Sequence, residues 1–230
     1  MARATRTSHI VLSTLCSSFL FLAQGCQEAV VTFTGGKAHV RLFNGQTKTS
    51  AVALYADSVQ RISTLQNGEL SDAIAVPSGT YVLFDVRSSD DTSIRIASQR
   101  YVMADGQTYM LIVRGRTITD FFRPIVDTLQ SPYPGRAAVK LINLTEETFV
   151  SVSADGNVVG MPIVDAQTVL PFTAIEPGTL RISVFDVDRN TSIGRDSTVV
   201  LEAGACYYLF VYDSTSGTEL VQRWFLHKVE

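Results

Sequence analysis

The chain has 230 residues, of which 46% are hydrophobic and 18% are charged, and its formal net charge is −3. A hydrophobic fraction of this size is enough for one or two folded cores. Because the charge is not basic, a nucleic-acid partner is excluded as a working hypothesis. No long block of like charge marks a disordered tail.

The N-terminus has the pattern of an export signal. Arg3 and Arg6 precede residues 10–23, a run that carries no charge. A membrane-spanning helix needs about 20 apolar residues, so this shorter run is typical of a signal-peptide core. We therefore expect residues 1–25 to be a signal peptide.

The end of this run resembles the lipobox of bacterial lipoproteins. Residues 22–26 read Leu-Ala-Gln-Gly-Cys, with Gly25 and Cys26 in the places of the glycine and the lipidated cysteine of that motif. The resemblance implies that Cys26 carries lipid, that residues 26–36 form a tether, and that Gln27 is compatible with an outer-membrane location. The alternative is an ordinary signal peptide cut nearby, with Cys26 left as a thiol.

The rest of the chain contains a repeated pattern. Residues 77–86 read PSGTYVLFDV, and residues 177–187 read PGTLRISVFDV. Gly79 and Gly178 are 178 − 79 = 99 residues apart. In each copy a Pro-Gly turn leads into a run rich in β-branched and aromatic residues, which favours a strand. The sequence therefore predicts two copies of one unit.

Each copy contains about seven short strand patterns separated by turn residues, which is typical of a β-sandwich. Residues 130–136 contain two prolines and a glycine and predict a stiff linker. We expect an all-β chain with two tandem immunoglobulin-like β-sandwich domains, residues 37–129 and 137–230, joined by that linker. A single fused sandwich is the competing arrangement.

Four landmarks of the first copy carry a second resemblance. They are an Ala-x-Val-Arg strand, a Leu-Tyr-Ala-Asp hairpin, a Val-Pro-Ser-Gly-Thr-Tyr turn and a Gly-x-x-Tyr strand, at residues 38–41, 54–57, 76–81 and 106–109. This order resembles a family of exported bacterial repeat domains known only as a domain of unknown function. The resemblance implies a sandwich fold and a location in the cell envelope. It brings no catalytic residue, because the family has no established chemistry.

The sequence offers no set of residues spaced for catalysis. His39 and His227 are the histidines outside the signal peptide, and neither accompanies a nucleophile and an orienting group. Cys206 stands alone among tyrosines and is predicted to be a buried small hydrophobe. The acidic residues at 90–91 and 186–188 predict solvated turns rather than a calcium site. We expect no enzyme activity, no cofactor and no metal; a hydrolase with an unrecognised site is the alternative.

The most suggestive feature is an aromatic row in residues 206–212. Because side chains alternate along a strand, three rings fall on the face opposite to the predicted core; they are Tyr208, Phe210 and Tyr212. Together with Trp224 they would form an exposed face that binds sugar or protein. The alternative is that the other domain, or the closing stretch with Trp224 and Phe225, covers the row.

These observations predict a non-enzymatic lipoprotein of the bacterial cell envelope that acts as a binding or structural scaffold. Its predicted partners are the membrane, through lipid on Cys26, and envelope proteins or polysaccharide. Its predicted location is the outer membrane or the cell surface. The alternative function is a carbohydrate-binding or adhesion module that uses the aromatic face of the second domain.

Overall fold

The computed structural model describes residues 35–115, 120–121, 123–127, 130–216 and 219–229. The regular structure in these residues consists of β-strands, which confirms the predicted all-β fold class. Within the same residues, no helix has the length and apolar character needed to cross a membrane. The predicted signal peptide and the lipidation site Cys26 lie outside the described residues.

Strands β1 to β9 form the first sandwich. Their bounds are β1 (Lys37–Gln46), β2 (Ala51–Ala56), β3 (Val59–Gln66), β4 (Ile74–Pro77), β5 (Tyr81–Ser88), β6 (Arg95–Val102), β7 (Thr108–Gly115), β8 (Asp120–Phe121) and β9 (Ile125–Val126). One sheet has the order β4-β1-β7-β8, with β9 also paired to β7, and is called the inner sheet here. The other has the order β3-β2-β5-β6 and is called the outer sheet.

Strands β10 to β18 repeat this arrangement in the second sandwich. Their bounds are β10 (Ala137–Asn143), β11 (Val150–Ala154), β12 (Asn157–Val158), β13 (Thr168–Ile175), β14 (Gly178–Asp186), β15 (Thr191–Ser192), β16 (Ser197–Leu201), β17 (Cys206–Ser216) and β18 (Glu219–Lys228). The inner sheet has the order β13-β10-β17-β18, and the outer sheet has β12-β11-β14-β15 with β16 also paired to β14. In the described residues no strand of one sandwich pairs with a strand of the other, so the structure has two sandwiches rather than a fused one.

Each inner sheet contains one parallel pair of strands. β1 runs parallel to β7, and β10 runs parallel to β17. All other strand pairs are antiparallel. The parallel pairs lie in the middle of their sheets, and one strand of each pair, β7 or β17, is largely apolar on both faces, which is typical of strands buried on both sides.

The described residues form three apolar cores. The first lies between the two sheets of the first sandwich, and the second lies between the two sheets of the second sandwich. The third lies between the two inner sheets. Alternation along β7 shows how one strand serves two cores, because Leu111 and Val113 enter the first core while Met110 and Ile112 enter the third. The two sandwiches are therefore stacked through their inner sheets.

A buried asparagine lies near or at the end of the first strand of each sandwich, Asn44 in β1 and Asn143 in β10. The Asn143 amide donates to three backbone carbonyl oxygens, those of Thr148, Val164 and Asp165, at 2.9, 3.2 and 3.0 Å. The Asn44 amide donates to the Leu65 carbonyl oxygen at 2.9 Å. Both side chains are fully buried, so these bonds satisfy carbonyl groups that water does not reach. Asn143 thereby fastens the loop that follows it, and Asn44 links β1 to the end of β3.

Candidate functional site

The predicted aromatic row of β17 lies in the third core. Tyr208 and Phe210 are 0% exposed and Tyr212 is 7% exposed. The Phe210 ring stacks between two others, with centroids 4.4 Å from Phe43 of β1 and 4.9 Å from Phe225 of β18. The first sandwich and the closing stretch thus both cover the row. Of the two predicted alternatives, the covered row is the one observed, and these three residues do not form an accessible binding face.

Trp224 lies on the opposite face of the same sheet. It is the direct partner of Val211 in the β17–β18 pairing, whereas Phe225 is the partner of Phe210. Because paired residues share a face, Trp224 packs with Val211 toward the second core and Phe225 packs with Phe210 in the third. Grouping Trp224 with the aromatic row was therefore wrong. Its register with β17 is the physical reason.

Polar side chains lie at the edge of the third core and join the two sandwiches. The Tyr208 hydroxyl is 3.3 Å from Asp127 Oδ1 and donates to this carboxylate. Arg41 Nη1 lies 3.1 Å from His227 Nε2. Arg41 lies on β1 and Asp127 directly follows β9, both in the first sandwich, whereas Tyr208 and His227 lie on β17 and β18 of the second. These bonds therefore add polar links to the apolar contact.

The low polarity of the interface shifts the pKa values of two charged residues in this cluster. Burial raises the pKa of the Asp127 carboxyl, and the neighbouring Arg41 and Lys140 charges and the Tyr208 hydrogen bond oppose that rise. Burial lowers the pKa of the Lys140 amine, and nearby Cys206 and Asp127 oppose that fall. Lys140 Nζ also lies 4.5 Å from the centroid of the Phe172 ring, in a cation–π contact. The aromatic core and the ionic cluster thus form one continuous interface.

Cys206 is buried, as the sequence predicts. Its side chain is 0% exposed and lies in the third core. Burial raises the pKa of the thiol, and the Lys140 charge only partly opposes this. A nucleophilic cysteine needs an accessible thiolate, so the setting of Cys206 is that of a packing residue. His39 is exposed at the start of β1 and lies outside this cluster.

The acidic turns differ from one another. Asp91 is exposed, and hydrogen bonds from the Ser93 side chain and backbone lower the pKa of its carboxyl. Asp186, predicted to be solvated, is instead buried and forms an ion pair with Arg189 at 3.2 Å. It also accepts the Arg189 backbone N–H, so the turn folds back over the carboxylate. Within the described part of the chain, no group of three or more His, Cys, Asp or Glu residues is arranged to hold a metal ion.

Trp224 borders a groove on the open side of the second sandwich. The groove has a volume of about 690 Å³ and lies between β18, at the edge of the inner sheet, and β16, on the outer sheet. Trp224 is half-buried, and Arg195 and Arg223 at the groove are both exposed. Of the four residues that the sequence suggested as a binding face, Trp224 and the largely buried Tyr212 line this groove, and Trp224 is the more exposed of the two.

Together, the strands and the three cores define an all-β protein built from two stacked β-sandwiches. Residues 38–149 match the family model DUF4397, described as a domain of unknown function. This match agrees with the predicted resemblance to a domain-of-unknown-function family. It spans the first sandwich and the first strand of the second.

Matches to other proteins are distant. No curated protein matches the chain in sequence. Matching solved structures include the C-terminal domain of AlgF from P. aeruginosa, 26% identical over 40% of this chain and 99% of that chain, with a TM-score of 0.30. They also include a candidate cell adhesion protein from Bacteroides uniformis, 9% identical over 85% of this chain and 100% of that chain, with a TM-score of 0.23. At these scores neither structure carries an argument about function.

Proposed function

We propose that this protein is a non-enzymatic lipoprotein of the bacterial cell envelope, in which two stacked β-sandwiches act as a rigid structural or binding scaffold. The observation that supports the scaffold role best is the third core. Tandem domains that are free to move meet through small polar surfaces. Here the contact is formed by large buried rings, with Phe43 from one sandwich stacked on Phe210 from the other.

Contacts at the rim of the third core support the same rigid arrangement. The Asn67 amide, at the turn after β3, donates to the Asp213 carbonyl oxygen of the second sandwich at 3.2 Å. The next residue, Gly68, has a φ of 81° and lies against the Tyr212 ring, where a Cβ atom would collide with that ring. Only glycine fits both requirements. A spacer that keeps its two halves in fixed register is suited to holding partners at a set position.

The proposed anchor is lipid on Cys26. The compact body begins at Gly35, nine residues further along the chain by 35 − 26. An extended chain spans about 3.5 Å per residue, so the body would lie within about 30 Å of the membrane. Each buried methylene contributes about 0.8 kcal/mol to membrane attachment. The three chains that the lipoprotein resemblance implies would therefore make release negligible, at the outer membrane or the cell surface.

Detergent partitioning of cell extracts tests the anchor. We expect wild type to enter the detergent phase and Cys26→Ala to stay in the aqueous phase, because the variant has no thiol to accept lipid. Cys16→Ala is the matched control, since Cys16 lies in the predicted signal peptide and should leave partitioning unchanged. Equal partitioning of Cys26→Ala and wild type would refute the lipid anchor.

The geometry of the described residues gives more support to a scaffold than to the hydrolase alternative, because the Cys206 thiol is enclosed and its pKa is raised by burial. Labelling with broad hydrolase-directed covalent probes provides the check. Specific labelling of the intact protein would support the enzyme alternative instead. For the carbohydrate-binding alternative, the buried aromatic row of β17 gives no support, and Trp224 at the groove is the predicted binding residue that still supports it.

A further inference from the structure

We infer that the groove beside Trp224 binds an acidic polysaccharide, that is, a chain of sugars bearing carboxylate groups. This inference rests on the binding role proposed above, but it does not depend on the lipid anchor. It is carried by three features of the groove: its shape, its unpaired donors and its difference from the same place in the first sandwich.

The shape is that of an open trough. Its volume of about 690 Å³ falls within the range of about 300–1,000 Å³ that is usual for ligand sites. One side comes from β18, where Trp224 lies on the face toward the second core and Arg223, the partner of Tyr212, lies on the opposite face. The other side comes from the β15–β16 turn and β16, with Gly194, Arg195 and Val199. A Cβ atom at Gly194 would lie 3.4 Å from the Trp224 ring, so the backbone there lies close to one part of the indole.

The two sandwiches differ at this place, and the difference explains why the groove exists. In the outer sheets, Asp57 N–H donates to Leu83 O and Asp155 N–H donates to Arg181 O, which makes Leu83 and Arg181 equivalent. The strand registers then make Tyr101 of the first sandwich equivalent to Val199 of the second.

The inner sheets supply the matching pair. Phe121 is the partner of Val113 in the first sandwich, as Trp224 is the partner of Val211 in the second. In the first sandwich, the Tyr101 and Phe121 rings are in edge-on contact, with their centroids 6.5 Å apart. Val199 has no ring to contact Trp224 in the same way. Trp224 therefore lacks the ring contact that Phe121 makes, and it lines the groove instead.

The donors around the groove have no partners among the described residues. The side chains of Arg195 and Arg223 make neither a hydrogen bond nor an ion pair there, and the Trp224 indole N–H donates to no described group. Other arginines on the same sandwich are paired, such as Arg181 with Asp196 at 2.6 Å. The groove thus combines two unpaired guanidinium groups with a free indole donor in a chain whose net charge is negative.

This combination matches one ligand chemistry. Guanidinium groups bind carboxylates through paired hydrogen bonds, and a flat indole offers an apolar surface with a polar edge. A sugar ring has an apolar face that can lie on the indole, and carboxylates on successive sugars of a polymer can reach Arg195 on one side of the groove and Arg223 across the edge of β18. A neutral sugar would satisfy the ring but leave both arginines unpaired. An acidic sugar polymer satisfies all three groups.

Direct titration tests the inference. The chain has a single tryptophan, so its intrinsic fluorescence reports on the groove itself. We expect polygalacturonate fragments to change the Trp224 emission in a saturable way, and to bind at least about tenfold more tightly than the same fragments with methyl-esterified carboxylates. Saturable binding of polyglutamate with equal strength would overturn the assignment to a sugar, and no saturable response to polygalacturonate would overturn the site.

Two variants separate the groove from general charge effects. We expect Arg223→Ala to weaken binding about tenfold, because a charge-assisted hydrogen-bonded pair is lost. Arg100→Ala removes one exposed arginine from the first sandwich and should leave affinity unchanged. Val199→Tyr recreates the first sandwich's arrangement and should block the groove without altering its charge. Equal affinity loss in Arg223→Ala and Arg100→Ala, or full affinity in a folded Val199→Tyr protein, would overturn the proposal.

Discussion

Replacing Phe210 with alanine tests whether the third core joins the two sandwiches. The Phe210 ring is fully buried and stacks on Phe43 and Phe225, with centroid distances of 4.4 and 4.9 Å. Removing a buried phenylalanine ring usually costs about 3–5 kcal/mol. Each aromatic pair contributes about 0.5–1.5 kcal/mol of its own. We therefore expect Phe210→Ala to lower the free energy of unfolding by about 3–5 kcal/mol, a large share of a typical total of about 5–15 kcal/mol.

The measurement is urea denaturation, monitored with two spectroscopic probes. Fluorescence of Trp224 reports on the second sandwich, and far-ultraviolet circular dichroism reports on both. In wild type the two curves should coincide, because the shared core couples the sandwiches. In Phe210→Ala they should separate, and Cys206, which lies in the same core, should react faster with a thiol reagent under native conditions.

A matched control shows whether the loss belongs to the third core. Phe84 is also fully buried, but it lies in the core of the first sandwich alone. Phe84→Ala should cost a similar free energy without directly opening the inter-sandwich contact. If Phe84→Ala costs about 3–5 kcal/mol while Phe210→Ala costs less than about 1 kcal/mol, the third core does not hold the sandwiches together. A double-mutant cycle that combines Phe43→Ala with Phe210→Ala should give a coupling free energy of about 0.5–1.5 kcal/mol.

Two further predictions concern buried polar groups. Asn143→Ala should cost about 2–4 kcal/mol in urea denaturation, because three buried carbonyl groups lose their donor, whereas exposed Asn157→Ala should cost little. Because burial raises the pKa of Asp127 in the folded state, its contribution to stability is lost as pH rises through that raised pKa. Asp127→Asn stays neutral and keeps an oxygen for the Tyr208 hydroxyl, so it should be more stable than wild type at neutral pH and lose this advantage in acid. An advantage that grows in acid would contradict this sign.

The strands could be predicted from the sequence, but the stacking of the sandwiches could not. Period-two alternation and Pro-Gly turns are local signals, and they identify strands such as β5 and β14 within short windows. In β17 both faces are apolar, which indicates burial on both sides without naming the cover. The cover for Phe210 includes Phe43, which is 210 − 43 = 167 residues away. No local pattern encodes a contact at that separation.

The sequence did not predict the surroundings of some single residues correctly, for a related reason. The face of Trp224 depends on the register between β17 and β18, and a shift of one residue would reverse it. One signal was present, because Trp224 and Phe225 are adjacent in a strand and must face opposite sides. Asparagine is a residue type that local preference assigns to turns, yet Asn44 and Asn143 are buried donors to backbone carbonyl groups distant from them in their sandwiches. Their recurrence at matching places in both copies was the clue to a shared structural role.

The comparison between the two sandwiches also bears on how many ligands the protein can bind. The surfaces of the two inner sheets that face each other are buried in the third core, so a ligand must bind at an edge or on an outer surface. At the equivalent edge, Tyr101 contacts the Phe121 ring in the first sandwich, whereas the shorter Val199 stands in that place beside Trp224 in the second. Among the described residues, this ring contact in the first sandwich thus takes the place that the groove occupies in the second. Calorimetric titration with short acidic oligosaccharides should accordingly give one site per chain, and two equal sites would mean that the binding surface is a property of the repeated fold rather than of this groove.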